Sequence, residues 1–331
     1  IQVDPDNSAS IKRFQQLAAA VDTPLIAAAY DPPLALVRSL VRAGATDVIS
    51  LPLTIDELES ALEPVRDEIA RRQGTRHEAN GKLVTVIKSV GGVGATALLS
   101  QLAIRFAERE SASGNESCII DLDVQFGDIA FQLGMQSKLT LFDLLEAGNR
   151  LDADMLRATT SRHPSGLNLL SAPPDMMPME GMPSEQLLQI VELATHEFGV
   201  VFVDLPTNWT NWSLSLAARS DIIFLVTELS IAGLHRARRQ LDLLRSQDLG
   251  ALDVRVIVNR FEKSQARKIG TKDVRDALGR DVSYYISNDF SLMHSAIDRG
   301  VPIEALKRKS SLARDLDAII TDIAISLSSE R

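Results

Sequence analysis

Leu83-Val84-Thr85-Val86-Ile87-Lys88 runs straight into Ser89-Val90-Gly91-Gly92-Val93-Gly94-Ala95-Thr96-Ala97, and the junction of these two stretches decides how the rest of the chain reads. The first is short and mostly apolar at both odd and even positions, the pattern of a strand covered on both faces of a sheet. The second carries three glycines and opens a helical pattern over residues 96–109. Glycines between a strand and a helix let backbone N–H groups converge on an anion, and the helix dipole adds partial positive charge there. Phosphate is the natural guest.

A full phosphate-binding P-loop reads GxxxxGK[ST]; here Ser89 stands at the first glycine and Ala95 at the lysine. Residues 92–97 also fit the dinucleotide pattern GxGxxG/A, with acidic residues roughly 20 or more positions downstream. ATP and NAD therefore both remain open at this point. Later residues separate them. The apolar stretch Val200-Val201-Phe202-Val203 ends in Asp204-Leu205-Pro206, where P-loop proteins place the carboxylate that serves Mg2+. Hydride transfer has no need of it.

Asp121 and Asp123 follow another apolar stretch and would sit at the carboxyl edge of the same sheet. Asp123 is the candidate for orienting an attacking water; Asp121, Thr96 and Asp204 are candidates for the Mg2+ shell. Strand-end aspartates also cap turns, which is the plainer alternative. Asn259 closes the expected strand 254–258, where it could read an adenine edge or simply start a turn.

Further strands are expected at 117–121, 167–170, 200–204 and 222–226, with helices at 184–197 and 231–246 between them. Such alternation predicts an α/β fold with a doubly wound, mostly parallel sheet. The polar segment 71–82, RRQGTRHEANGK, reads as a linker. Ahead of it, strands at 1–3, 24–30 and 47–51 alternate with helices at 10–21, 34–43 and 55–71. The expected organisation is thus a first domain over 1–70, the linker, and a second domain over 83–331. The chain begins at Ile1 rather than Met, and more strands are expected before it.

With 331 residues, 45% of them hydrophobic and 24% charged, the composition excludes a collagen-like, coiled-coil or wholly disordered chain. One cysteine, Cys118, excludes thiolate zinc, iron–sulfur and dithiol chemistry. A net charge of −9 gives nucleic acid no global attraction. The basic run His235-Arg236-Ala237-Arg238-Arg239 is read as a solvated helix face. No apolar run nears the ~18 residues of a membrane span, so a soluble, cytoplasmic protein is expected. The methionine-rich segment 173–183 is read as a loop packed on the second domain, and the amphipathic segment 311–328 as a helix covering the sheet.

Gly91-Gly92-Val93-Gly94-Ala95-Thr96, Asp121-Leu122-Asp123, Val203-Asp204-Leu205-Pro206 and Val258-Asn259-Arg260 together resemble the ParA/MinD family of deviant-Walker P-loop ATPases. Within it, GGVGAT, DLDVQFGDIA (121–130) and LTLFDLLEAGNRLDADML (139–156) resemble the TadZ/CpaE subgroup of the tight-adherence (Flp) type IV pilus machinery. Residues 43–52 and 55–58 are similar to the last strand and helix of a response-regulator receiver, which TadZ/CpaE proteins carry before the ATPase domain. Leu51 stands where receivers place a lysine, and Ala28 or Ala29 where they place Thr or Ser, so a pseudo-receiver is implied, with Asp4 near the phosphoacceptor position.

The resemblance implies ATP and Mg2+ as cofactors, with ATP cradled by Gly91, Gly92, Val93, Gly94, Ala95, Thr96, Ala97 and Asn259. It also implies a homodimer, the pilus secretion ATPase and inner-membrane platform as partners, and recruitment to the cell pole or inner-membrane face. Neither zinc nor DNA is expected. The family's two loop lysines, one reaching across a dimer and one on the β- and γ-phosphates, correspond to Val90 and Ala95. A charge-assisted hydrogen bond contributes about 1.5–3 kcal/mol, so ATP should bind more weakly and hydrolysis should be slow or absent. Lys88, on a strand, is not expected to substitute. The alternative is an active ParA/MinD-like ATPase in partition or spatial regulation.

Overall fold

The computed structural model describes residues 1–5, 7–20, 25–30, 32–52, 81–110, 115–179, 182–267 and 269–328. The chain divides into two compact units, Ile1–Glu78 and Ala79–Arg331.

In the first unit, helix α1 (Ser8–Ala20), strand β1 (Leu25–Tyr30), helix α2 (Leu34–Arg42) and strand β2 (Ala45–Leu51) alternate as the apolar pattern predicts. β1 and β2 pair in parallel, Ala28 opposite Ile49. Residues 1–3 form only a single parallel bridge, Gln2 to Ala28, in which Ala28 spends both its N–H and its C=O. A small core of Val3, Phe14, Ala27, Leu36, Leu40 and Ala45 lies against this sheet. The expected helix 55–71 and most of the linker 71–82 lie outside the described residues.

The second unit is built on strand β3 (Lys82–Lys88), the stretch whose reading opened the sequence. Its parity sorts the core: Leu83 and Ile87 face one hydrophobic cluster, Val84 and Val86 the other. Burial of one such side chain contributes about 1.5–3 kcal/mol, so both faces must be covered. Helix α3 (Ala95–Glu110) covers one face with the last helix, Ser311–Ser328. Its Leu312, Leu316, Ile319, Ile320 and Ile323 are buried there as expected. Helices at Ser184–Glu197, Asn211–Ala217 and Ile231–Ser246 cover the opposite face.

The remaining strands are β4 (Ser117–Asp121), β5 (Ser161–Arg162), β6 (Asn168–Leu170), β7 (Val200–Asp204), β8 (Ile222–Glu228), β9 (Val254–Phe261) and β10 (Tyr284–Ser287). Their order is β10-β9-β8-β3-β7-β4-β6-β5, and every pairing is parallel except β5 with β6. β10 was not anticipated: its Tyr-Tyr-Ile-Ser text is short and flanked by polar residues, so periodicity had little to act on. In the 173–183 segment, Met179 and Met182 are buried in the core, which fits the packed-loop reading, while Met176 is exposed.

Candidate functional site

From β3 the chain crosses through α3 to β4, while β7 leads back across β3 to β8, so the loops after β3 and β7 diverge at a switch in strand order. Here the phosphate-loop sequence turns. Gly92 and Gly94 take φ +78 and +83, conformations that a side chain resists. In front of Gly92 a Cβ would meet nothing within 4 Å, whereas at Gly94 it would press against Asn259 Nδ2 at 2.8 Å. The glycines therefore do different work: Gly92 leaves the mouth open and Gly94 lets a neighbour close in.

That neighbour was only half foreseen. Asn259, buried where β9 ends its pairing with β8, donates from Nδ2 to the Val93 carbonyl at 2.9 Å. Neither role considered from sequence describes this contact, which pins the loop to the sheet. Beside it, Gly94, Ala97, Asn259, Asn288, Asp289 and Phe290 help to line a cavity of about 100 Å³. Asn288, Asp289 and Phe290 follow β10, so they were missed together with that strand.

On the other side of the loop, strand parity assembles a charged cluster. Val84 and Val86 on β3, Ile119 on β4 and Phe202 on β7 all face the α3 side. Two residues further along each strand come Lys88, Asp121 and Asp204. Asp121 and Asp204 are direct partners in the β4–β7 register. Thr96 Oγ1 donates to Asp204 Oδ2 at 2.7 Å, and Lys88 Nζ lies 3.0 Å from that same oxygen and 3.3 Å from Asp123 Oδ2. Lys88 was expected only not to substitute for the loop lysines; the structure adds that its side chain, only 8% exposed, enters the acidic crevice. The same alternation that assigns the strand could have found it.

Burial opposes charge on Lys88, but Asp204 and Asp123 outweigh it and raise its pKa. Burial, with the Asp204 charge added, pushes Asp121 up to about 8 despite two amide donors. Those donors are Asp123 N and Ile129 N, one on each carboxyl oxygen. Asp123 Oδ1 in turn accepts from Phe126 N. Turn capping, the plainer alternative for these aspartates, is thus what their oxygens do, with Asp123 Oδ2 left for Lys88.

The open mouth at Gly92, the amides opening a 16-residue helix and the adjoining cavity fit a nucleotide. The carboxylates fit a divalent ion less well than their sequence positions suggest. Lys88 already supplies positive charge to Asp123 and Asp204, and Asp121 is engaged by backbone.

No family model matches the chain. A septum site-determining protein MinD from Synechocystis sp. is 23% identical over 227 residues, which are 67% of this chain and 81% of that protein. A ParA family ATPase from Chlorobium tepidum superposes with a TM-score of 0.66 at 20% identity, covering 72% of this chain and 98% of its own. MinD from Pyrococcus horikoshii, solved as a complex with Mg-ADP, gives 0.61 at 17% identity over 73% and 96%.

The second unit has the ParA/MinD ATPase fold.

In this ParA/MinD-type unit, the loop from Gly91 to Ala97, with Thr96, Asp204 and Asn259, comes together around one crevice, and Asp121 and Asp123 border it. The positions read as the two loop lysines are the half-buried Val90 and the buried Ala95. His163, His196 and His235 lie on other elements, while His294 helps to line the cavity beside Asn259. Arg238 pairs with Asp242 along its helix, and His235, Arg236 and Arg239 are exposed. Among the described residues, no helix is long and apolar enough to cross a membrane.

Proposed function

We propose that this chain is a nucleotide-holding assembly factor: a ParA/MinD-type unit that binds ATP and does not turn it over at an appreciable rate. The observation that carries the reading is the pairing of an open glycine cradle at Gly92 with the uncharged Val90 and Ala95. Amides and a helix terminus suffice to hold phosphate oxygens. Cleavage is different, because charge develops on the transferring group and is stabilised by cations aimed at it. The base would lie in the cavity beside Asn259, Asn288 and Asp289. Thr96 and Asp204 would face the phosphate end.

The finer reading is a TadZ/CpaE-like role in Flp/Tad pilus assembly, with the first unit a pseudo-receiver used for docking and the protein acting as a homodimer. Its support is the resemblance of residues 91–96, 121–130 and 139–156 to that subgroup, together with the parallel α/β alternation of the first unit. Leu51, and Ala28 or Ala29, apolar where a receiver needs a cation and a hydroxyl, support docking over phosphorylation. The expected partners are the pilus secretion ATPase and the inner-membrane platform, which would also bring the protein to the membrane face.

The test is calorimetric titration with ATP, ADP and NAD, paired with affinity capture of the intact protein. ATP binding without phosphate release, and capture of the pilus ATPase or platform, support the reading. Steady turnover with a co-purifying partition protein would replace it with an active ParA/MinD-type ATPase. NAD binding would replace both.

A further inference from the structure

We propose that Lys88 stands in for the divalent cation of this site, so that nucleotide binds without Mg2+. The proposal rests on the nucleotide-holding reading above and deepens it. Four observations converge on it. The Lys88 ammonium bridges Asp204 Oδ2 at 3.0 Å and Asp123 Oδ2 at 3.3 Å, joining the ends of β7 and β4. The Thr96 hydroxyl donates to the same oxygen of Asp204 that Lys88 holds, so hydroxyl and ammonium share one carboxylate oxygen. Lys88 is fixed from behind as well: Gln240 Nε2 donates to its carbonyl at 2.7 Å, and Ser89 N donates to Val226 O at 2.9 Å. Finally, each oxygen of Asp121 accepts one backbone amide.

A dication entering this crevice would meet an ammonium already paired with two of its carboxylates. Replacing that ammonium would mean either burying it unpaired or expelling it, and both are costly for a side chain this enclosed. The oxygen Asp204 Oδ1 remains buried without a partner, a need that one water donor can meet. Part of the positive charge that a metal would bring with the nucleotide is therefore built into the protein. It sits behind the loop, on the acidic side, rather than at the lysine position of the loop itself. This placement suits a protein that keeps a nucleotide bound: the cation holds the crevice together without being carried in and out with ligand.

Calorimetric titration of the intact chain with ATP, in EDTA and then in excess Mg2+, tests this directly. Dissociation constants that agree within about threefold support the proposal; binding at least about tenfold weaker in EDTA overturns it while leaving the nucleotide-holding reading intact. No binding in either buffer overturns both. A second readout uses the metal alone. Mg2+ should raise the melting temperature of Lys88→Met and Lys88→Gln, in which Asp123 and Asp204 are freed, and leave the parent chain unchanged. An equal Mg2+ shift in parent and variants, or none in any of them, counts against the proposal. Should neither variant fold, the titration of the parent chain decides.

Discussion

Lys88 Nζ lies 3.0 Å from Asp204 Oδ2, two strand ends apart in sequence by more than a hundred residues and joined across the β3–β7 pair. Asp204 is fully buried and Lys88 nearly so. Such a pair adds little when intact compared with apolar packing, but removing one partner strands the other. Lys88→Met should therefore destabilise the fold by about 3–5 kcal/mol. The double variant Lys88→Met/Asp204→Asn should lose clearly less than the sum of the two single variants. Urea denaturation of the three proteins checks this, and simple additivity would show that the two side chains do not depend on one another.

Gly92 and Gly94 share a positive φ but not a neighbourhood. Alanine at Gly92 meets open space, so it bears only the backbone strain of about 1–2 kcal/mol. Alanine at Gly94 adds a contact at 2.8 Å with Asn259 Nδ2, so the side chain that bonds the Val93 carbonyl must shift. Gly94→Ala is expected to be the less stable of the two, and to lose ATP binding that Gly92→Ala partly keeps. Thermal melting and calorimetry separate them; equal loss in both would mean that Asn259 does not hold the loop.

In the proposed face-to-face homodimer, Val90 offers no cation to reach the partner's nucleotide. Association of two copies should then depend on apolar packing and be insensitive to nucleotide. Light scattering with and without ATP should give the same mass at each protein concentration. A dimer seen only with ATP would contradict the role given to Val90.

His163 is a buried histidine whose ring bonds Ser165 through Nδ1 and faces the Gly300 carbonyl through Nε2. Burial lowers its pKa below the ordinary 6.5, against the opposing pull of Gly300 and Glu108. The folded protein thus prefers the neutral ring. Its contribution is complete above pH 6.5 and is lost as pH falls from 6.5 toward the lower folded value, where the ring must charge in place. Between neutral and mildly acidic pH, His163→Asn should lose less urea stability than the parent chain. Parallel losses would remove His163 from the acid response.

Much of this molecule was legible because its strands are long enough to be unambiguous. Residues 117–121 and 200–204 were bounded correctly from apolar runs ending in aspartate, and those endings also marked the crevice. β10 was not, since four residues with two tyrosines carry no usable period, and the cavity residues Asn288 to Phe290 went with it. Asn259 was found by position, but its bond to the loop was not, because that partner is a carbonyl 166 residues away. Lys88 is the instructive case. Counting alternate positions from Val84 and Val86 places it on the face where Phe202 leads to Asp204, so its neighbours follow from parity once the strand order is known. That order, β3 beside β7 and β7 beside β4, is a tertiary fact that one sequence does not contain.

The central claim is that the second unit holds a nucleotide and does not cut it. Mixing trace labelled ATP with excess protein and identifying the nucleotide that stays bound tests both halves at once. The account predicts that the label is retained and recovered as intact ATP after prolonged incubation. Label recovered as ADP, and restored to ATP by Asp123→Asn or Asp204→Asn, would contradict it, as would no retention at all.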